Sequence, residues 1–229
     1  MQKHTDREYE SELATLREKV ILMGAAVEQM IGLSLEAFER RDLALAQRAI
    51  DEDDQIDQLE IEIDRLCLRI LALRQPVASD LRFITMALKV VTDLERGGDL
   101  AVNISERVVE LGSFATVPAH ELIGRMASLA QGMLRDALDA FVSGDALKAQ
   151  AVLERDNTVD ALYEQLFPAL GMLMRSNPEF VESATRLQSI GKYVERLADH
   201  ATNIAELVIF MVRGQDVRHR LEVALGGRH

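Results

Sequence analysis

Asp53 and Asp57, Glu95 and Asp99, Asp156 and Asp160, and Glu195 and Asp199 are pairs of acids spaced four residues apart. On a helix, positions i and i+4 lie one above the other on the same face, so each pair presents two carboxylates together. One such pair is common and means little. These four gain meaning from a repeat. ERGGDLAVNISE at 95–106 returns as ERLADHATNIAE at 195–206, with seven of the twelve positions identical. Helix packing alone would preserve apolar positions. Here the identities fall mostly on polar residues, including Asp99/Asp199, Asn103/Asn203 and Glu106/Glu206. A second block, RDLALAQRAIDEDDQID at 41–57, matches GDALKAQAVLERDNTVD at 144–160 and shares Asp42/Asp145, Gln47/Gln150, Asp53/Asp156 and Asp57/Asp160. The two halves therefore repeat a site as well as a fold.

The turns place the pairs. Position 76, a proline, lies midway between position 55 and position 97, the centres of the first two pairs. In the second half the midpoint falls between Asn177 and Pro178. A hairpin folded at each proline brings two pairs, four carboxylates, to one level. Two carboxylates about 5 Å apart repel by roughly 3 kcal/mol at an effective dielectric of ~20. Such a cluster must be hydrated, partly protonated or neutralised by a cation. An all-oxygen set suits hard ions: Mg²⁺, Mn²⁺, Ca²⁺ or iron. The competing reading is an acidic, solvated face with Arg96 and Arg196 as local counter-ions. The amides of Asn103, Asn203, Gln47 and Gln150 lie about one turn away and are candidates to orient the acids, or simply to hydrogen-bond between helices. His200 follows Asp199 directly, points about 100° away on a helix, and is read as a neighbour of the site and not a ligand.

Other chemistries lack their residues. The sequence has no Gly-rich phosphate loop, no zinc-type Cys/His spacing and no G-x-S-x-G. A di-iron oxidase bundle needs Glu-x-x-His, and none of His4, His120, His200, His219 or His229 supplies it. The formal charge of −12 argues against direct binding of nucleic acid or of anionic lipid. The longest unbroken apolar stretch, 20–27, is too short to span a bilayer, and the polar start does not read as a signal peptide. Cys67, the single cysteine, reads as a small buried apolar residue in a reducing compartment.

The elements that must position the acids are helices. Only 13 glycines and 4 prolines occur in 229 residues, and Leu, Ala, Glu and Arg abound. Leu13, Leu16, Val20, Met23, Val27 and Met30 keep a 3/4 spacing and predict a helix over about 8–40. Asp42 caps a second, about 43–73, which Gln75-Pro76 ends. Val77 or Ser79 opens a third, reaching Leu111. The second half repeats this scheme: a helix striped by Leu122, Met126, Leu129 and Met133, one capped by Asp145 and reaching about Arg175, and one ended by Gly214. Helices of ~30 residues span about 45 Å. The fold class is all-α: six long antiparallel helices in two tandem homologous three-helix bundles. The first bundle is 8–113, the second 118–214, and 215–229 form a C-terminal tail, with Gly112-Ser113 and Pro118 marking the junction.

The repeated acid pairs, RQPVASDLR at 74–82 and ERGGDLAVNI at 95–104 resemble the PhoU family of phosphate-uptake regulators over about residues 8–214. That resemblance implies two similar three-helix bundles. It also implies metal clusters at Asp53, Asp57, Glu95, Asp99, Asp156, Asp160, Glu195 and Asp199. In function it implies a cytoplasmic negative regulator of phosphate-starvation signalling. Such a regulator is expected to work with the phosphate ABC transporter, through its ATPase subunit, and with a sensor histidine kinase, and to form a homodimer. It is not expected to be an enzyme. The alternative is a carboxylate-cluster metal protein with enzymatic or metal-storage activity. One departure stands out: the family usually has a bulky apolar residue at the position of Gly97. Gly97-Gly98 in mid-helix costs about 1–2 kcal/mol of helix propensity, which bears on the regularity of the helix at the first site.

Overall fold

A computed structural model of the chain describes residues 2–112, 114 and 120–214; the junction proline Pro118 and the tail 215–229 lie outside the described residues. Every element is helical: α1 (Gln2–Arg40), α2 (Leu43–Asp51), α3 (Asp53–Arg74), α4 (Ala78–Leu111), α5 (His120–Ser143), α6 (Ala146–Ser176) and α7 (Val181–Arg213), with a 3-10 turn at Pro178–Phe180. The stripes read from the sequence form the core. Leu16, Val20, Met23, Val27 and Met30 of α1, Ile56, Ile63 and Ile70 of α3, and Met126 and Met133 of α5 are fully buried or nearly so.

The caps follow the short polar residues. Asp42 accepts from the backbone N–H groups of Ala44 and Leu45, and Asp145 accepts from those of Leu147 and Lys148. Each satisfies donors that the first turn of a helix leaves unpaired. Gly214 ends α7 with φ 65°, a left-handed conformation that suits glycine. The third helix starts at Ala78 behind Val77, so Ser79 is inside it and is not its cap.

The second helix differs from expectation. Instead of one element there are two, because Glu52 makes a tight turn between α2 and α3. Its φ and ψ, −79° and −10°, stay in the helical basin, so the axis is interrupted and not reversed. The break falls in the run of four acids Asp51 to Asp54, where like charges crowd at every step. The equivalent α6 is continuous and even tolerates Pro168. Among the described residues, seven α-helices thus realise the six-rod plan.

Helix α1 packs with α2, α3 and α4, and α5 with α6 and α7; α4 then lies against α7, and α1 against α5, which joins the bundles side by side. Polar bridges cross this seam: Arg135 Nε donates to Glu28 Oε1 at 2.6 Å and Arg186 Nε to Glu110 Oε2 at 3.1 Å. Part of α1 (7–40) is long and apolar enough to cross a membrane by composition. Half of that stretch is buried, as in the core helix of a bundle. The sequence motif 74–82 forms the α3–α4 turn and is tied to α1. Arg74 Nε donates to Glu12 Oε2 at 2.8 Å, and the Tyr9 hydroxyl donates to Asp80 Oδ2 at 2.8 Å. Cys67 is buried, and burial and then Asp64 push its thiol up to about 12, so it stays protonated.

Glycines 97 and 98 do not interrupt α4, which runs unbroken through them. Gly97 lets neighbours approach closely, whereas Gly98 has room for a Cβ. A Cβ on Gly97 would lie 3.3 Å from Val27 Cγ1 and 3.8 Å from Leu197 Cδ1, so this glycine sits where α1 and α7 meet α4. A Cβ on Gly98 would lie 3.5 Å from Ile56 Cγ2 and 3.8 Å from Asp53 Oδ1, on the side facing α3. Tertiary contact compensates for the low helix propensity.

Candidate metal centre

Both hairpins bring their acid pairs into one electrostatic neighbourhood. Asp53 opens α3 and lies beside Gly98 of α4, the helix that carries Glu95 and Asp99. Burial first, then Asp57, Asp99 and Asp54, raise the Asp53 carboxyl above its ordinary range. Glu95 is raised by burial, then by Asp99, with Arg96 opposing. In the second half the effect is stronger. Asp156 is pushed up to about 6, mainly by burial, then by Asp160, Asp199, Glu195 and Glu206. Its Oδ1 is buried without a hydrogen-bond partner. Asp160 rises through burial and Glu195. Asp199 keeps an exposed edge, yet the protein around it, then Glu195 and Asp160, raise it as well.

Local cations take up part of the charge. Arg96 Nη1 lies 3.2 Å from Asp99 Oδ2, and its Nε lies 3.4 Å from Glu95 Oε2. In the second half Lys192, not Arg196, does this work, with Nζ 2.6 Å from Glu195 Oε2. Among the described residues, no three His, Cys, Asp or Glu side chains converge tightly enough to hold a metal ion.

The donor set nevertheless fits a hard cation. It is all oxygen, it is excess negative charge, and in Asp156 it includes a buried acceptor with nothing to accept from. A cation would offset the burial and mutual repulsion that raise these carboxyls above their ordinary range.

The amides have other tasks. Asn103 Nδ2 donates to the backbone carbonyl of Asp99 at 2.7 Å, and Gln47 Nε2 donates to Asp51 Oδ1 at 2.9 Å. Asn203 Nδ2 reaches across the seam to Asp93 Oδ1 at 3.1 Å, beside His200 Nδ1, which lies 2.8 Å from the same oxygen. Gln150 is half-buried on α6. His200 therefore faces α4 and not the acid cluster beside it.

Three acids belong to the cluster that the pairwise reading missed. Glu60 is raised by burial, then by Asp64 and Asp57, and in turn acts on Glu95. Glu164 acts on Asp160, and Glu206 on Asp156. The signal was present: Glu60 and Glu164 continue the acid ladders one turn further, and Glu206 is one of the repeated identities.

These shifts predict how stability depends on pH. Six carboxyls, Asp53, Glu60, Glu95, Asp156, Asp160 and Asp199, have raised pKa values, so the folded chain binds protons more readily than the unfolded one. In chelator, stability must then rise as pH falls from about 7 toward about 5. Glu12 and Asp136 have lowered pKa values, held down chiefly by Arg74 and by Arg155, the latter against the desolvation of Asp136. Their contribution is lost only as pH falls below about 4, the ordinary carboxylate range. Thermal unfolding in EDTA is therefore expected to give its highest midpoint near pH 5. A midpoint that falls steadily from pH 7 would contradict the arrangement.

Taken together, the fold and the site define an all-α tandem-repeat protein whose two hairpins each carry a carboxylate ladder. A family model, the PhoU domain, matches residues 20–108 and again 123–208, and the chain belongs to that family. It is 40% identical over 227 residues, 97% of its length, to the phosphate-specific transport system accessory protein PhoU homolog of Caulobacter vibrioides, of which it covers 99%. The Pseudomonas aeruginosa homolog of the same name is 40% identical over 94% of this chain and 90% of its own. Among solved structures, PhoU from Pseudomonas aeruginosa superposes with a TM-score of 0.88 at 39% identity, covering 90% of this chain and all of that one. The phosphate transport system regulatory protein PhoU from Streptococcus pneumoniae gives 0.85 at 31% identity, covering 91% of this chain and 99% of that one.

Proposed function

We propose that this chain is a negative regulator of phosphate uptake and phosphate-starvation signalling. It works in the cytoplasm as an adaptor between the ATPase subunit of a phosphate ABC transporter and a sensor histidine kinase, and it acts as a homodimer. The observation that carries this reading is the near full-length likeness to proteins named as phosphate-specific transport system accessory proteins, 40% identical over 97% of the chain. That those relatives are named accessory proteins also supports a regulator and not an enzyme. Each ladder holds a hard cation, iron, Mn²⁺, Mg²⁺ or Ca²⁺, through Asp53, Asp57, Glu95 and Asp99 in one half and Asp156, Asp160, Glu195 and Asp199 in the other. The bound ions order the acidic faces, and such faces favour a basic counterpart on the partner.

Deleting the gene is expected to derepress phosphate-starvation promoters in phosphate-rich medium, measured with a reporter and restored by a plasmid copy. Full repression in the deletion strain, with no second family member encoded, would overturn the reading.

A further inference from the structure

One cleft lies away from both acid ladders. It has a volume of about 480 Å³ and opens where the start of α4 meets the ends of α5 and α7, with α1 along its side. Phe83 on its wall is twelve residues before Glu95 on the same helix, or about 18 Å along the axis. The volume is that of a small-molecule site. Phe83 and Phe141, one from each bundle, stack across the seam with centroids 5.9 Å apart and an interplanar angle of 24°. Ile21, Val142 and Val212 line the cleft and are about half exposed, at 45%, 52% and 45%.

Its charge is the informative part. Arg17 at the rim lies over the Phe83 ring, 4.7 Å from guanidinium carbon to centroid. In a chain with 38 acids and 26 cations, arginines such as Arg74, Arg107, Arg155 and Arg186 have carboxylate partners. Arg17, which is exposed, has none among the described residues, as is also true of Arg65, Arg125 and Arg175, but it sits in the cleft against the Phe83 ring. Contact with the face of the guanidinium leaves its N–H edges available to an anion. The Ser79 hydroxyl nearby is held only loosely, 3.5 Å from Asp80 Oδ1, and can turn to the same anion. An unpaired cation beside apolar walls selects a molecule that is anionic at one end and flat and apolar at the other.

We propose that this cleft binds a small organic anion, a phosphate or carboxylate carried on an aromatic ring. Arg17 and Ser79 take the anionic group, and Ile21, Val142, Met211 and Val212 enclose the ring. Because the walls come from both bundles, the bound molecule clasps the seam between them. The inference stands apart from the metal sites and from the proposed regulation.

The test is calorimetric titration of the full chain with 1-naphthyl phosphate and 1-naphthoate, with 1-naphthol as the uncharged control. At least one of the two anions is expected to bind at one per chain, at least about tenfold tighter than naphthol, and the better of them identifies the anionic group. Arg17→Met should weaken the anion by a similar factor and leave naphthol unchanged. Val142→Asp, on an exposed position, should abolish anion binding without loss of helicity by circular dichroism. Saturable binding of neither anion overturns the proposal, including the case in which residues 215–229 or a second copy already fills the cleft. Equal anion binding by wild type and Arg17→Met overturns it as well.

Discussion

Replacing Asp99 and Asp199 together with asparagine is expected to abolish the cation binding proposed for the two ladders and to leave the helices in place. Each residue acts on the opposite helix of its hairpin, Asp99 on Asp53 and Asp199 on Asp156, and Asp99 acts also on Glu95 of its own helix. An amide keeps the shape but removes the charge that a hard cation requires. Metal analysis of untagged protein should show each single variant losing about half of the metal and the double variant nearly all of it. The same change relieves repulsion in the metal-free state, so in chelator the double variant should unfold at a higher temperature than wild type. With metal the order inverts, because a ligand at a hundred times its Kd stabilises by about 2.7 kcal/mol. Unchanged stoichiometry in both single variants would remove these residues from the ligand set. A folded, metal-free double variant that still represses normally would leave the cations a purely structural role.

Gly97→Leu should destabilise the protein by about 1–3 kcal/mol, the usual cost of overfilling a packed core. Even a Cβ there meets Val27 at 3.3 Å, with Leu197 and Ile31 just beyond. The midpoint of thermal unfolding should drop by roughly 2–4 °C per kcal/mol in a chain of this size. Its neighbour behaves oppositely. A Cβ on Gly98 makes ordinary contacts, 3.5 Å to Ile56 and 3.8 Å to Asp53, so Gly98→Ala should stabilise by up to about 1 kcal/mol through helix propensity. Adding Leu197→Ala to Gly97→Leu should recover part of the loss. A double-mutant cycle by chemical denaturation measures this, and strict additivity would mean the two side chains do not meet.

The helices and their caps were legible because they are written locally. Asp42, Asp145 and Gly214 each act on backbone within three or four residues, and the apolar stripe of α1 names its own buried face. Levels along the hairpins were legible too, since two prolines fix them. What a single helix does not encode is rotation and partner. Asp93 as the acceptor for Asn203 and His200 depends on how α4 and α7 turn toward each other across the seam, whereas the Lys192–Glu195 pair, three residues apart on one helix, is written locally. The turn at Glu52 escaped notice because its dihedral angles stay helical and only a hydrogen-bond register changes. Glu60 and Glu164 were visible as charges, but counting acids in pairs stopped one turn too soon.

The meeting of Gly97 with Leu197 has a further implication. The two residues occupy the same place in the two repeats, so the axis relating the halves passes between them, as the axis of an isologous dimer passes between identical residues of two subunits. A true homodimer can place only the same side chain on both sides of its axis: two leucines would collide, and two glycines would leave a hole. Joining the copies into one chain lifts that constraint, and one side has become a socket while the other has become the plug that fills it. The covalent link thus lets the two repeats carry different side chains where they meet. A pair of separate half-length chains, each with Gly97 or each with Leu197, could not rebuild this contact.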